Sequence, residues 1–200
     1  MTAWAGSHGT NAAQTQVQVA LAVGVGPAAM WTFFVSAEIL SDPGGWRGLG
    51  FVILWVLPIL ALAALALRRP GWAAPVMTAL VGVWVAANLL TVGFATAWAQ
   101  YEDTHGPIGL VVMLGLCVPI VLLGRARALR AGILLLVAVI TPIACGIAAM
   151  VVSWTVGGGI VLVVIGGPFL VSGVLLVLAG RSERTPSGGS VPERGTTVAG

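Results

Sequence analysis

The chain has 200 residues, of which 58% are hydrophobic and 8% charged, and it carries a net charge of +3. A soluble domain keeps about a quarter of its residues charged to face water, so this composition excludes an ordinary soluble globule and points to lipid as the main solvent. The pI near 9.7 rests on a few arginines at the ends of apolar runs, with no basic face and no interleaved aromatics, which excludes a nucleic-acid partner.

Residues 1–13 are small and polar and read as a flexible arm. No basic stretch precedes the first apolar run, and that run is too long for the core of a signal peptide, so no cleaved leader is expected. Six apolar runs follow: about 17–40, 48–67, 73–99, 107–124, 131–154 and 156–179. Each reaches the roughly 18 residues that cross the hydrocarbon layer. Helix is the only open element that satisfies its own backbone in lipid. The breaks carry turn or charge signals: "SDPGGWRG", "RRPGW", "QYEDTHG", "GRARALR" and "TVGGG". The expected fold is therefore all-α, a polytopic transmembrane bundle of six spans within residues 14–180. Residues 181–200 are rich in Ser, Gly, Pro and charge and read as a disordered tail.

Arginine placement sets the expected orientation. Arg68 and Arg69 follow the second run, Arg125, Arg127 and Arg130 follow the fourth, and Arg181, Arg184 and Arg194 follow the sixth; the other connections hold only Arg47. An excess of basic residues marks the cytoplasmic side, which places both termini in the cytoplasm. All nine basic residues are Arg, and together with 28 Gly this suggests a GC-rich bacterial genome and a cell (inner) membrane location. The near-equal spacing of Arg68, Arg125 and Arg181 follows from the length of two spans and two turns and shows no further repeat.

In lipid, helices associate by close packing of small residues and by a few hydrogen bonds. The sixth run carries Gly159, Gly166, Gly173 and Gly180 at intervals of seven, a stripe expected to seat a neighbouring helix with a left-handed crossing. Ala20, Gly24 and Ala28 in the first run, at intervals of four, form a second such seam. Pro27, Pro58, Pro119, Pro142 and Pro168 lie well inside five runs, where each removes a backbone donor. Trp46, Trp72, Trp98 and Trp154 sit at run ends as interfacial anchors, whereas Trp31 lies deep.

Two groups of residues carry chemistry. Glu38, Asp42, Glu102, Asp103 and His105 fall on the outward side of the threading, and hard oxygen ligands with one imidazole would suit a divalent cation or a proton. They match no ligand motif, and acids collect outside whenever arginines collect inside, so the expected metal set is empty. Trp84, Asn88 and Thr91 form a polar patch at mid-depth, a candidate pocket for an amphipathic ligand or an interhelical hydrogen-bond site. Cys117 and Cys145 lie within spans, belong to no CxxC pair and read as buried small hydrophobes. No Ser–His pair, carboxylate dyad, HExxH, P-loop or haem-ligating histidine occurs within the spans. The expectation is a protein with no enzymatic activity and no cofactor, partnered by the lipid bilayer and by other membrane subunits or copies of itself. The alternative is a small transporter or a ligand- or cation-sensing membrane module.

Overall fold

The computed structural model describes residues 5–41, 46–94, 96–98, 100–101, 108–153 and 157–182. Side-chain surroundings are described for residues 12–37, 49–50, 52–94, 96–98, 100–101, 108–148 and 163–182. Every described element is helical. Six long helices follow one another: α1 (Ala5–Ser41), α2 (Trp46–Arg68), α3 (Pro70–Gly93), α4 (Ile108–Leu123), α5 (Ala128–Ser153) and α6 (Gly157–Ser182).

The helices coincide with the six apolar runs to within a few residues except at two ends. The backbone of α1 runs back to Ala5, well into the stretch expected as an arm. That stretch contains no proline, and extending an existing helix gains one hydrogen bond per residue fixed, while only starting one is costly. In the third run the helix stops at Gly93 rather than near 99. Phe94 caps it with φ −125°, its N–H bonded to the Thr91 carbonyl. At the other end of α3, Pro70 occupies the first turn, where its missing N–H leaves no bond unmade.

The helices form a closed ring of five around one. α1 packs on α2, α2 on α3, α3 on α5, α5 on α6, and α6 returns to α1; α4 touches all five. A helix that is apolar on every side belongs in such a centre. Leu110, Met113, Leu114, Leu116, Cys117, Pro119, Ile120, Val121 and Leu123 of α4 are all buried. They cover most of the helix; the remaining face, with Val111, Val112, Gly115, Val118 and Leu122, is only half-buried, and Val112 on it is exposed.

Two contacts fix the relation of α3 to α5. Arg130 reaches Thr78 and Trp84 reaches Ala138, so residue numbers rise together and the helices run parallel. Between α5 and α6 the numbers run oppositely, from Leu129 beside Gly180 to Val139 beside Gly166. Val121 and Ser172 converge on Gly24, and Leu176 covers Gly124, so α4 and α6 are parallel. This up-and-down order gathers Arg69, Arg125, Arg127, Arg130 and Arg181 at one end of the bundle.

Four helices are long and apolar enough to cross a membrane: Ala12–Ala37, Pro70–Gly93, Ala128–Ala148 and Val163–Ser182. The apolar stretches Val52–Arg68 and Ile108–Leu123 are shorter. The outward faces are apolar too: Phe33, Leu54, Leu57, Val83, Leu90 and Val164 are all more than half exposed. Such a surface suits contact with lipid.

Candidate functional site

Proline chemistry explains the most specific contact in the bundle. A helical carbonyl at position i normally accepts the N–H of residue i+4. Pro142 has no N–H, so the carbonyl of Ala138 on α5 is left without its helical donor. The indole Nε1–H of Trp84, from α3, donates to that carbonyl at 2.9 Å. Both groups are buried, where an unmade bond costs about 1–3 kcal/mol. The contact therefore joins α3 to α5 at the point where Pro142 weakens α5.

The rest of the expected polar patch turns inward on its own helix. Asn88 Nδ2 donates to the Trp84 carbonyl at 2.8 Å, and Thr91 Oγ1 donates to the Asn88 carbonyl at 2.7 Å. Trp84, Asn88 and Thr91 thus lie in one row along α3, each hydrogen-bonded to backbone. Beyond them, Leu90, Thr91, Phe94, Ala97, Trp98 and Tyr101 line an open groove of about 360 Å³. Its walls are almost wholly apolar, and Thr91 is the only member of the row that reaches it. Trp98 and Tyr101 stack at 5.7 Å on its rim, as aromatics at a membrane interface do.

A second buried hydrogen bond fastens α1 to α6. Ser172 Oγ donates to the Ala20 carbonyl at 2.7 Å. Ser172 is the only polar side chain in the core among the described residues. Ala20, Gly24 and Ala28 are all buried, and a methyl on Gly24 would lie 2.8 Å from Ser172 Oγ and 2.9 Å from Val121. The missing side chain makes room for both neighbours.

Gly166, Gly173 and Gly180 face α5. A methyl on Gly166 would lie 2.9 Å from Val139, one on Gly173 2.9 Å from Leu136, and one on Gly180 would meet the backbone of Leu129. Gly159 lies on α6, but its surroundings are outside the described residues. Sequence reasoning missed the partner glycine, Gly132. A methyl there would lie 2.7 Å from both the Gly173 carbonyl oxygen and the Val177 amide nitrogen, so α5 and α6 meet backbone to backbone. Little marks Gly132 in the sequence, because the only other glycine of α5, Gly146, lies two heptads away with Val139 at the position between them.

Of the expected outward cluster, Asp42, Glu102, Asp103 and His105 lie outside the described residues, as does the side chain of Glu38. Cys117 is fully buried on α4 and Cys145 half-buried on α5, and both are free thiols. Among the described residues, no three His, Cys, Asp or Glu side chains come together. No protein-family model, curated protein or solved structure matches this chain, so the functional reading rests on the residues themselves.

Proposed function

We propose that this chain is a six-span protein of the cell (inner) membrane, with both termini in the cytoplasm, acting as a non-enzymatic structural or interaction subunit. The observation that carries this reading is the apolar α4, which touches all five other helices. Its buried side chains are apolar, and the polar groups of the described core, the Ser172 hydroxyl and the Trp84 indole N–H, are each spent on a backbone carbonyl. A solute path or a reaction centre needs polar or ionisable groups aimed into a cavity. Here the described polar side chains of the core and of the α3 row are bonded to backbone instead. Arginines gathered at one end support a cytoplasmic assignment for that end. The two shorter apolar stretches support full spans as well, because each is the described part of a run and a neighbour of longer helices on both sides.

The α3 groove favours a second reading, a small transporter or ligand-sensing module, in which an amphipathic molecule rests against Thr91 and Tyr101. Purification from native membranes in mild detergent separates the two. A subunit elutes with a second polypeptide, or a second copy of itself, in fixed ratio. A lone chain whose melting temperature rises with a small solute or divalent cation, and whose rise is lost on Asn88→Ala or Glu38→Gln, overturns the subunit reading.

A further inference from the structure

Pro119 does to the central helix what Pro142 does to α5. It leaves the carbonyl of Gly115, four residues earlier, without a helical donor. The helix packed against Gly115 is α2, and the side chains it lays there are Ile59 and Trp55. From the position a Gly115 Cβ would occupy, Ile59 lies 3.5 Å away and the Trp55 indole nitrogen 3.8 Å. That Nε1 is buried and has no hydrogen-bond partner. A buried donor without an acceptor therefore stands beside a turn whose acceptor has no helical donor. On α3 and α5 the same pairing, Trp84 with the carbonyl freed by Pro142, is closed at 2.9 Å.

We propose that α2 has a second seating on α4, in which the Trp55 indole N–H donates to the Gly115 carbonyl. The two seatings make a conformational latch between the ring and its central helix. Three features of α2 favour movement there. The described hydrogen bonds joining one helix to another run between α3 and α5 and between α1 and α6, and none of them reaches residues 52–68 of α2. Along that stretch, apolar contact is all that holds it among the described residues. Pro58 lies inside α2, three residues past Trp55, so the helix lacks an internal bond at the turn that has to shift. Gly115 has no side chain, which lets α2 slide across α4 without displacing one.

The latch links the outside of the bundle to its core. Leu54 and Leu57, beside Trp55, are 71% and 62% exposed, so whatever packs on the outer face of α2 biases which seating it takes. Closed, the bond draws α2 onto the Pro119 turn of α4; open, apolar packing alone holds the two together at that turn.

A double-mutant cycle on the full chain in lipid or detergent tests the latch. Pro119→Ala returns an N–H to the Gly115 carbonyl and removes the acceptor that Trp55 needs. Trp55→Phe removes the donor, and its packing loss is common to both backgrounds and cancels. The expected result is that Trp55→Phe lowers the folded-to-unfolded ratio about fivefold more in the wild-type background than in the Pro119→Ala background, the size of a typical hydrogen bond within a membrane. Equal losses in the two backgrounds overturn the proposal. Should Pro119→Ala not fold, the wild-type chain still decides. The indole ¹⁵N–¹H resonance missing from Trp55→Phe is expected to show exchange between free and hydrogen-bonded positions, and a single unexchanging free position rules the latch out.

Discussion

Trp84 and Pro142 can be separated experimentally because their effects meet at one atom, the Ala138 carbonyl oxygen. Trp84→Phe keeps most of the ring but leaves that oxygen buried without a donor. A cost of about 1 kcal/mol follows from hydrogen-bond energies within membranes. In a Pro142→Ala background the alanine N–H takes over the oxygen, and the same Trp84→Phe change then costs only its lost packing. Reversible unfolding in mixed detergent, run on all four variants, measures the difference. Additive effects would mean that the indole contributes shape and not a bond. The prolines and the tryptophans were both legible in the sequence as separate features. Their pairing was not, because a freed carbonyl shows no sign of which neighbouring helix will supply its donor.

At the scale of the element, the α5–α6 pair shows what a glycine does when its hydrogen faces another backbone. Gly132→Ala would place a methyl 2.7 Å from two main-chain atoms of α6, and neither can swing aside as a side-chain terminus can. The helices have to part, at a cost of about 1–3 kcal/mol, as for other overpacked contacts. Gly82, on the outward face of α3, has nothing within 4 Å of the corresponding point. Gly82→Ala is expected to be neutral or to gain up to about 1 kcal/mol from helix propensity. Thermal unfolding of the two variants side by side checks the contrast, and similar shifts for both would show that general helix propensity governs glycine here. Helix positions were read closely from the apolar runs, since a run long enough for lipid has one available structure. The heptad on α6 and the seam on α1 stood out because repeated small residues are visible in one dimension. Gly132 did not, since Val139 interrupts the heptad between it and Gly146, and the Gly93 stop was hidden inside a run that stays apolar past it.

For the whole molecule, the ring order depends on contacts between helices far apart in the chain, and no local pattern encodes these. α1, the first helix made, is seated by α6, the last. The Ser172–Ala20 bond therefore forms only once α6 has been made. In the proposed threading, direction is set by a different and simpler force. Arg69, Arg125, Arg127, Arg130 and Arg181 share one end of the bundle, and moving a cluster of guanidinium groups through hydrocarbon is far costlier than leaving it on the side of synthesis. The alternating up-and-down order then fixes every other connection. With Cys117 and Cys145 replaced by alanine, Ala126→Cys should be shielded from a membrane-impermeant maleimide in intact cells and labelled after lysis, while Thr104→Cys should be labelled before lysis. The reverse pattern would put the arginine end outside and turn the proposed threading over. If both sites were labelled from outside, α4, the helix between them in the chain, would not be crossing the membrane, although its buried faces make it the centre on which the other five pack.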